Sequence, residues 1–139
     1  MPSTLIRHLC SQLWFDVNVK LALDERGVPI AAIGAATTAV ARAGLIRGRR
    51  HTSNGLSYLR QHVPGYSEMA AYIDAPAVRD RGLITAPGLA DVEFAAAIMA
   101  ELGVLSVEDL TLWTTLFRRS RLLTGQGESA YIRRRSHSR

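Results

Sequence analysis

The chain has 139 residues, 47% of them hydrophobic, with a formal net charge of +5. That length supports one domain with a real core and is too short for two of ordinary size. No apolar run approaches the roughly twenty residues of a membrane-spanning helix, so no membrane partner is expected. Residues 118–139 hold seven arginines (Arg118, Arg119, Arg121, Arg133, Arg134, Arg135, Arg139) against Glu128 alone, while residues 1–117 are near neutral. The start of the chain lacks a small-residue cleavage pattern, which leaves the cytoplasm as the expected address. Cys10 is the only cysteine, which rules out an internal disulfide or a multi-cysteine metal cluster. His8, His51, His62 and His137 show no metal-like spacing, and neither a metal nor a cofactor is expected.

In chain order, residues 5–15 read as a helix that buries Cys10 among Leu5, Ile6, Leu9 and Leu13. Asp16 can cap a second helical stretch, residues 17–25, stopped at Gly27. Pro29 blocks continuation, and residues 28–33 form a short continuous apolar run, as in a strand buried on both faces of a mostly parallel sheet. Residues 35–43 are rich in Ala and Thr and predict a helix ended by Gly44. Residues 49–53 predict the next strand, Asn54 a cap, and residues 56–62 a helix, followed by a loop over residues 63–66. Residues 72–74 and 77–80 read as extended, and the turn at Asp80, Arg81 and Gly82 joins the latter to residues 83–86 as a hairpin. Asp91 opens a helix to Leu102 with Val92, Ala95, Ala96 and Met99 on one face, closed by Gly103. Ser106 and Asp109 form a capping-box pattern ahead of a helix carrying Leu110, Trp113 and Phe117. Beyond Leu123 the periodicity fails, so residues 1–123 are expected to form the domain and residues 124–139 a disordered basic tail.

The segment Ile30-Ala31-Ala32-Ile33-Gly34-Ala35-Ala36-Thr37 carries the functional signal. A buried strand that turns at once into a helix leaves its turn residue at the sheet's C-terminal edge, beside helix N-terminal N–H groups that can serve as an oxyanion hole. Downstream stand Ala43-Gly44-Leu45-Ile46-Arg47-Gly48-Arg49-Arg50-His51-Thr52-Ser53-Asn54, then Tyr72-Ile73-Asp74-Ala75-Pro76-Ala77-Val78-Arg79-Asp80, then Leu83-Ile84-Thr85-Ala86-Pro87-Gly88. Together with Val92-Glu93-Phe94-Ala95, these resemble the ThiJ/PfpI family of class I glutamine amidotransferase-like domains, in unbroken order from about Gly27 to Leu105.

The resemblance implies an α/β fold, a flavodoxin-like three-layer sandwich with a mostly parallel sheet, often dimeric. It also implies a cysteine nucleophile in the strand-helix elbow. Carried over residue by residue, that cysteine falls on Gly34, the histidine beside the thiol falls on Asn54, and the oxyanion-hole amide falls on Ala35. Glycine has no attacking group, and an amide cannot act as a general base. His51 lies three residues before the histidine position. The first βα unit of the family, with its acidic residue, should precede everything matched, so the chain reads as the C-terminal portion of such a domain. The elbow strand is then expected to lack a neighbour on one side and to favour self-association.

Three functions follow as expectations. The first is a catalytically silent ThiJ/PfpI-like domain that binds a small molecule or assembles with itself. The second is an active amidase, hydrolase or glyoxalase-like enzyme using Ser53, Thr37, Thr38 or Cys10, although each hydroxyl serves more simply as a cap or core hydrogen bond. The third is a polyanion binder acting through the Arg-rich tail. That tail offers only Tyr131 for stacking, which weighs against nucleic-acid binding.

Overall fold

The structure is a computed structural model that describes residues 22–135, with side chains through residue 123. The expected helix over residues 5–15, and Cys10 with it, lie outside the described residues. Of the stretch 17–25, residues 22–25 are described and helical.

Strand β1 (Ile30–Ile33) leads into helix α1 (Ala36–Arg42) through two residues, Gly34 and Ala35. Helix α1 ends as its sequence predicts, with the Gly44 N–H on Ala41 O and the Leu45 N–H on Val40 O, while Val40 and Leu45 enter the core together. Helix α2 spans Leu56–His62, and a single 3₁₀ turn covers Met69–Ala71. Strands β2 (Val78–Asp80) and β3 (Leu83–Ala86) form the expected hairpin, with Arg81 at φ +46° and Gly82 at φ +79°, the mirror-image turn that matches strand twist. Helix α3 (Asp91–Leu102) and helix α4 (Val107–Arg135) follow.

Three strands order as β1-β3-β2, with β1 parallel and β2 antiparallel to β3. The register places Ile30 beside Leu83 and Ala32 beside Thr85 on one face. Ile30, Ala32 and Leu83 there meet Val40, Ala41, Leu45, Ile46, Leu59 and Val63 in the main core. Helix α3 packs across the strands, and its Glu101 pairs at 3.5 Å with Arg79, the register partner of Ile84, so α3 covers the opposite face. Helix α4 then packs on α3. Helices on both sides of a partly parallel sheet make this a flavodoxin-like α/β arrangement.

Three expectations are corrected. Residues 49–53 do not form a strand: only His51 makes a parallel bridge, to Tyr72, because Arg49 and Arg50 are drawn to Asp24 and Asp80 instead. Residues 28–33 are not buried on both faces. Ile30 and Ala32 are buried but Ala31 is exposed, since β1 stands at an edge of the described sheet. Asn54 does not cap α2: Gly55 takes the cap position, at φ +149°, and accepts the first helical bond from Leu59. The backbone of α4 runs on past Leu123 to Arg135. Gly125 and Gly127 each cost a helix only about 1 kcal/mol relative to alanine, and i→i−4 bonds need no core partner.

Asp80 ties the Arg50 segment to the hairpin. Its Oδ2 accepts the Arg50 N–H at 2.8 Å, and this bond, helped by the Arg81 and Arg50 charges, holds the carboxyl below the ordinary value of 3.8. A lowered folded-state pKa stabilises the fold above the unfolded value and is lost as pH falls through the folded one. The Asp80→Asn variant should therefore lose less stability than the parent between neutral pH and pH below 3.8, measured by urea unfolding across that range. Parallel pH profiles would show that Asp80 plays no such part.

Candidate functional site

The elbow follows directly from the sequence around it. Gly34 ends β1 with its N–H on Ala86 O at 2.9 Å, then turns at φ +58°, a left-handed conformation that glycine adopts without the Cβ penalty of other residues. Its carbonyl accepts the Thr37 N–H at 3.1 Å and the Thr37 hydroxyl at 2.6 Å, which fixes the turn to the first turn of α1. Ala35 is exposed and already helical at φ −62°, ψ −27°. Its carbonyl accepts the Thr38 N–H and hydroxyl. With the Thr37 and Thr38 N–H groups so engaged, an oxyanion site here would have to use the N–H groups of Ala35 and Ala36.

Asn54 reaches the same place from the other side of the core. Its Oδ1 accepts the Gly88 N–H at 2.8 Å and lies 4.0 Å from where a Cβ on Gly34 would sit. Gly88, in the loop between β3 and α3, brings its Cα to 3.2 Å from that same point. Gly34, Asn54 and Gly88 thus meet at the C-terminal edge of the sheet. A side chain at Gly34 would have to push the Gly88 backbone aside by a few tenths of an ångström.

Beneath the elbow lies a pair of buried hydroxyls. Thr37 and Ser53 are 1% and 3% exposed, with Oγ atoms 2.7 Å apart. The single Thr37 hydroxyl proton goes to the Gly34 carbonyl, which can only accept, so Ser53 is the donor to Thr37. Neither hydroxyl has a basic partner there. The N–H of Thr52 is bound in turn by the buried Thr85 hydroxyl at 2.9 Å, which ties this segment to β3.

His51 stands apart from this junction. It is 1% exposed, with Nδ1 2.8 Å from Arg49 O and Nε2 2.7 Å from the Tyr66 hydroxyl, and its ring sits edge-on to Tyr66 and Tyr72. Burial, with Tyr72 and Glu68 nearby, pushes the Tyr66 phenol up to about 12, so it keeps its proton. That hydroxyl also donates toward the Glu68 carbonyl at 3.2 Å, so the His51 ring is held between Arg49 O and a phenol that is itself anchored to the backbone. His51 is thereby a packed structural histidine.

A cleft of about 360 Å³ opens beside the junction, lined by Asp74, Pro76, Pro87, Leu89, Ala90 and Glu93. No group of three or more metal-ligating side chains occurs among the described residues. Sequence reasoning quoted Gly88 only as the last residue of the motif from Leu83 and gave it no place at the site. A second glycine in a loop that must pass over a glycine elbow was the available signal.

A family model described as the DJ-1/PfpI family matches residues 16–101, which include the elbow strand, Asn54, the hairpin and α3. The chain belongs to the DJ-1/PfpI family. Among curated relatives it is 40% identical over 90 residues to the Bacillus subtilis protein named "uncharacterized protease YoaZ", covering 65% of this chain and 43% of that one. It is 36% identical over 91 residues to "uncharacterized protease YdeA" of the same organism, covering 62% and 46%. Among solved structures it resembles a thiJ/pfpI family protein from Bacillus anthracis (TM-score 0.69, 35% identity, covering 72% of this chain and 47% of that one). A DJ-1 superfamily protein from Agrobacterium tumefaciens is also similar (TM-score 0.67, 30% identity, covering 75% and 55%). This DJ-1/PfpI chain therefore spans about half the length of the relatives it matches. Among its described residues, no helix is long and apolar enough to cross a membrane.

Proposed function

We propose that this chain is a catalytically silent DJ-1/PfpI domain whose elbow keeps the family's backbone geometry without its chemistry. The observation that carries this reading is Gly34. The turn residue has no side chain, and the Gly88 backbone already stands 3.2 Å from where its Cβ would be. In this reading Ala35 marks the oxyanion position and Asn54 the histidine position. Asn54 instead acts as a strut, because its carbonyl oxygen is occupied by the Gly88 N–H. The remaining hydroxyls support the same view. Thr37 and Ser53 are buried in their mutual hydrogen bond, and Thr38 is bound to Ala35 O. What the domain retains is a binding surface: the cleft beside Gly88, with Asp74 and Glu93 among apolar residues, suits a small ligand.

Purified chain tested against amide, ester and 2-oxoaldehyde substrates should show no turnover above buffer. Turnover that disappears in Cys10→Ser, Thr38→Ala or Ser53→Ala would establish a working nucleophile and overturn the reading.

A further inference from the structure

Asn54 and Gly55 form the one asparagine-glycine pair in the sequence; the other asparagine, Asn18, precedes Val19. An asparagine before glycine can react within its own chain, when the next backbone nitrogen attacks the side-chain amide carbon. The five-membered ring this makes is favoured by a nitrogen free of hydrogen bonds, by the absence of a Cβ beside it, and by a polarised amide carbonyl. All three conditions meet here. The Gly55 N–H has no acceptor among the described residues. Gly55 sits at φ +149°, ψ 155°, a backbone region that glycine occupies almost alone. The Gly88 N–H donates at 2.8 Å to Asn54 Oδ1, the oxygen that becomes negative when the amide carbon is attacked, which is how an oxyanion hole works. Asn54 is also exposed, and no partner holds its Nδ2 among the described residues, so water reaches the amide and the leaving nitrogen is free.

We infer that Asn54 is a self-modification site, at which the folded chain converts its own side-chain amide to a carboxylate through a cyclic imide with Gly55. Water or hydroxide removes the Gly55 proton as the bond from its nitrogen to Asn54 Cγ forms, and the charge gathered on Oδ1 rests on the Gly88 N–H. The Cγ–Nδ2 bond then breaks, and Nδ2 takes a proton from water and leaves as ammonia. A second water opens the ring. Opening at Cγ leaves aspartate in an unchanged main chain. Opening at the main-chain carbonyl of residue 54 leaves isoaspartate, whose main chain runs through the former side chain and is longer by one methylene. Either product replaces a neutral amide with a carboxylate beside Gly34 and Gly88, and the isoaspartate also lengthens the chain just ahead of Gly55, the cap residue of α2. The change is one-way, because ammonia is lost. It does not depend on whether the elbow is catalytically silent.

The test incubates the full chain for days at mildly alkaline pH in water enriched in heavy oxygen, with peptide mass spectrometry as the readout. The peptide carrying residue 54 should gain one heavy oxygen and split into two species. One should co-elute with the same peptide from an Asn54→Asp variant, and the other should be accepted by an isoaspartyl methyltransferase. The peptide carrying Asn18 should stay unchanged, since the branched Val19 side chain crowds the attacking nitrogen. Conversion should quicken as pH rises, because the deprotonated Gly55 nitrogen is the nucleophile, and Asn54→Gln, whose longer side chain needs a larger ring, should not convert. Gly88→Pro removes the N–H on Oδ1 and should slow conversion about tenfold or more, as the loss of one hydrogen bond to a developing charge implies. A parent unconverted while its circular dichroism is native, yet converted in urea, would overturn the inference, since the Gly88 bond would then lock Asn54 instead of activating it. So would faster conversion in a folded Gly88→Pro. Where that variant does not fold, the comparison of native and urea-unfolded parent decides alone.

Discussion

Placing the family's cysteine back at Gly34 is expected to destabilise this chain by about 1–3 kcal/mol, the usual range for a non-glycine residue held in a sparsely populated backbone region. Two features contribute. The turn sits at φ +58°, where a Cβ crowds the following carbonyl, and the added Cβ would lie 3.2 Å from Gly88 Cα, a backbone atom with no rotamer to change. Gly34→Ala should cost about as much as Gly34→Cys, because the penalty belongs to the Cβ they share. Urea unfolding of both variants would check this. Two unaffected variants would mean that the loop at Gly88 yields freely and that the elbow is open in solution. The Gly34→Cys protein should also remain inactive toward the same substrate panel. Among the described residues, the side-chain atom within 4.0 Å of that Cβ is Asn54 Oδ1, whose amide cannot take a proton from the thiol, and His51 is engaged with Arg49 O and Tyr66. Robust turnover by Gly34→Cys would show that the remaining site is competent and that a single residue silences it.

Local chemistry made much of this architecture legible. The apolar run into Gly34, the Ala-rich helix closed at Gly44, the Asp80-Arg81-Gly82 hairpin and the helix from Asp91 to Gly103 each depend on contacts within a few residues, and each appears where the sequence places it. The capping box is also found, with the Ser106 hydroxyl accepting the Asp109 N–H at 3.1 Å. What was not legible depends on partners distant in the chain. Asn54 has the chemistry of a helix cap, yet the Gly88 N–H, thirty-four residues away, competes for its oxygen and wins. Arg49 and Arg50 sit in a stretch with strand-like neighbours, but Asp24 and Asp80 draw them out of a regular ladder. The backbone of α4 also runs on to Arg135, although the amphipathic pattern ends near Leu123. Loss of amphipathic periodicity removes a reason to pack, but it does not break a helix.

The site divides along the same line. Gly34 and Asn54 were named by matching motifs, and the Asn54 Oδ1 lies 4.0 Å from where a Cβ on Gly34 would sit. Their shared neighbour, Gly88, and the hydroxyl pair below them could not be found from spacing, because nothing in a linear pattern says that Thr37 and Ser53 will share a buried hydrogen bond. A helix-periodicity reading assigns Thr37 to a core-facing position and stops there. The structure adds that its hydroxyl secures the elbow carbonyl, so the turn is fixed from below by Thr37 and from above by Gly88.

That support from below should be measurable. Thr37→Val preserves the shape of the side chain but removes its hydroxyl, so it isolates the hydrogen bonds from packing. It takes one of two donors from the Gly34 carbonyl, which retains the Thr37 N–H, and it leaves the Ser53 hydroxyl, 3% exposed, without the acceptor it has in the parent. A buried polar group stranded in this way costs about 1–3 kcal/mol, whereas removing a hydrogen bond together with its donor costs about 0.5–1.5 kcal/mol. Ser53→Ala should therefore be the milder change, because Thr37 keeps its bond to Gly34. The double variant Thr37→Val/Ser53→Ala should be no less stable than Thr37→Val alone, since the stranded hydroxyl is gone. Chemical denaturation of the four proteins gives the coupling directly. If the two single losses simply add in the double variant, then Ser53 is not donating to Thr37, and the elbow is held by the Gly34 backbone bonds alone.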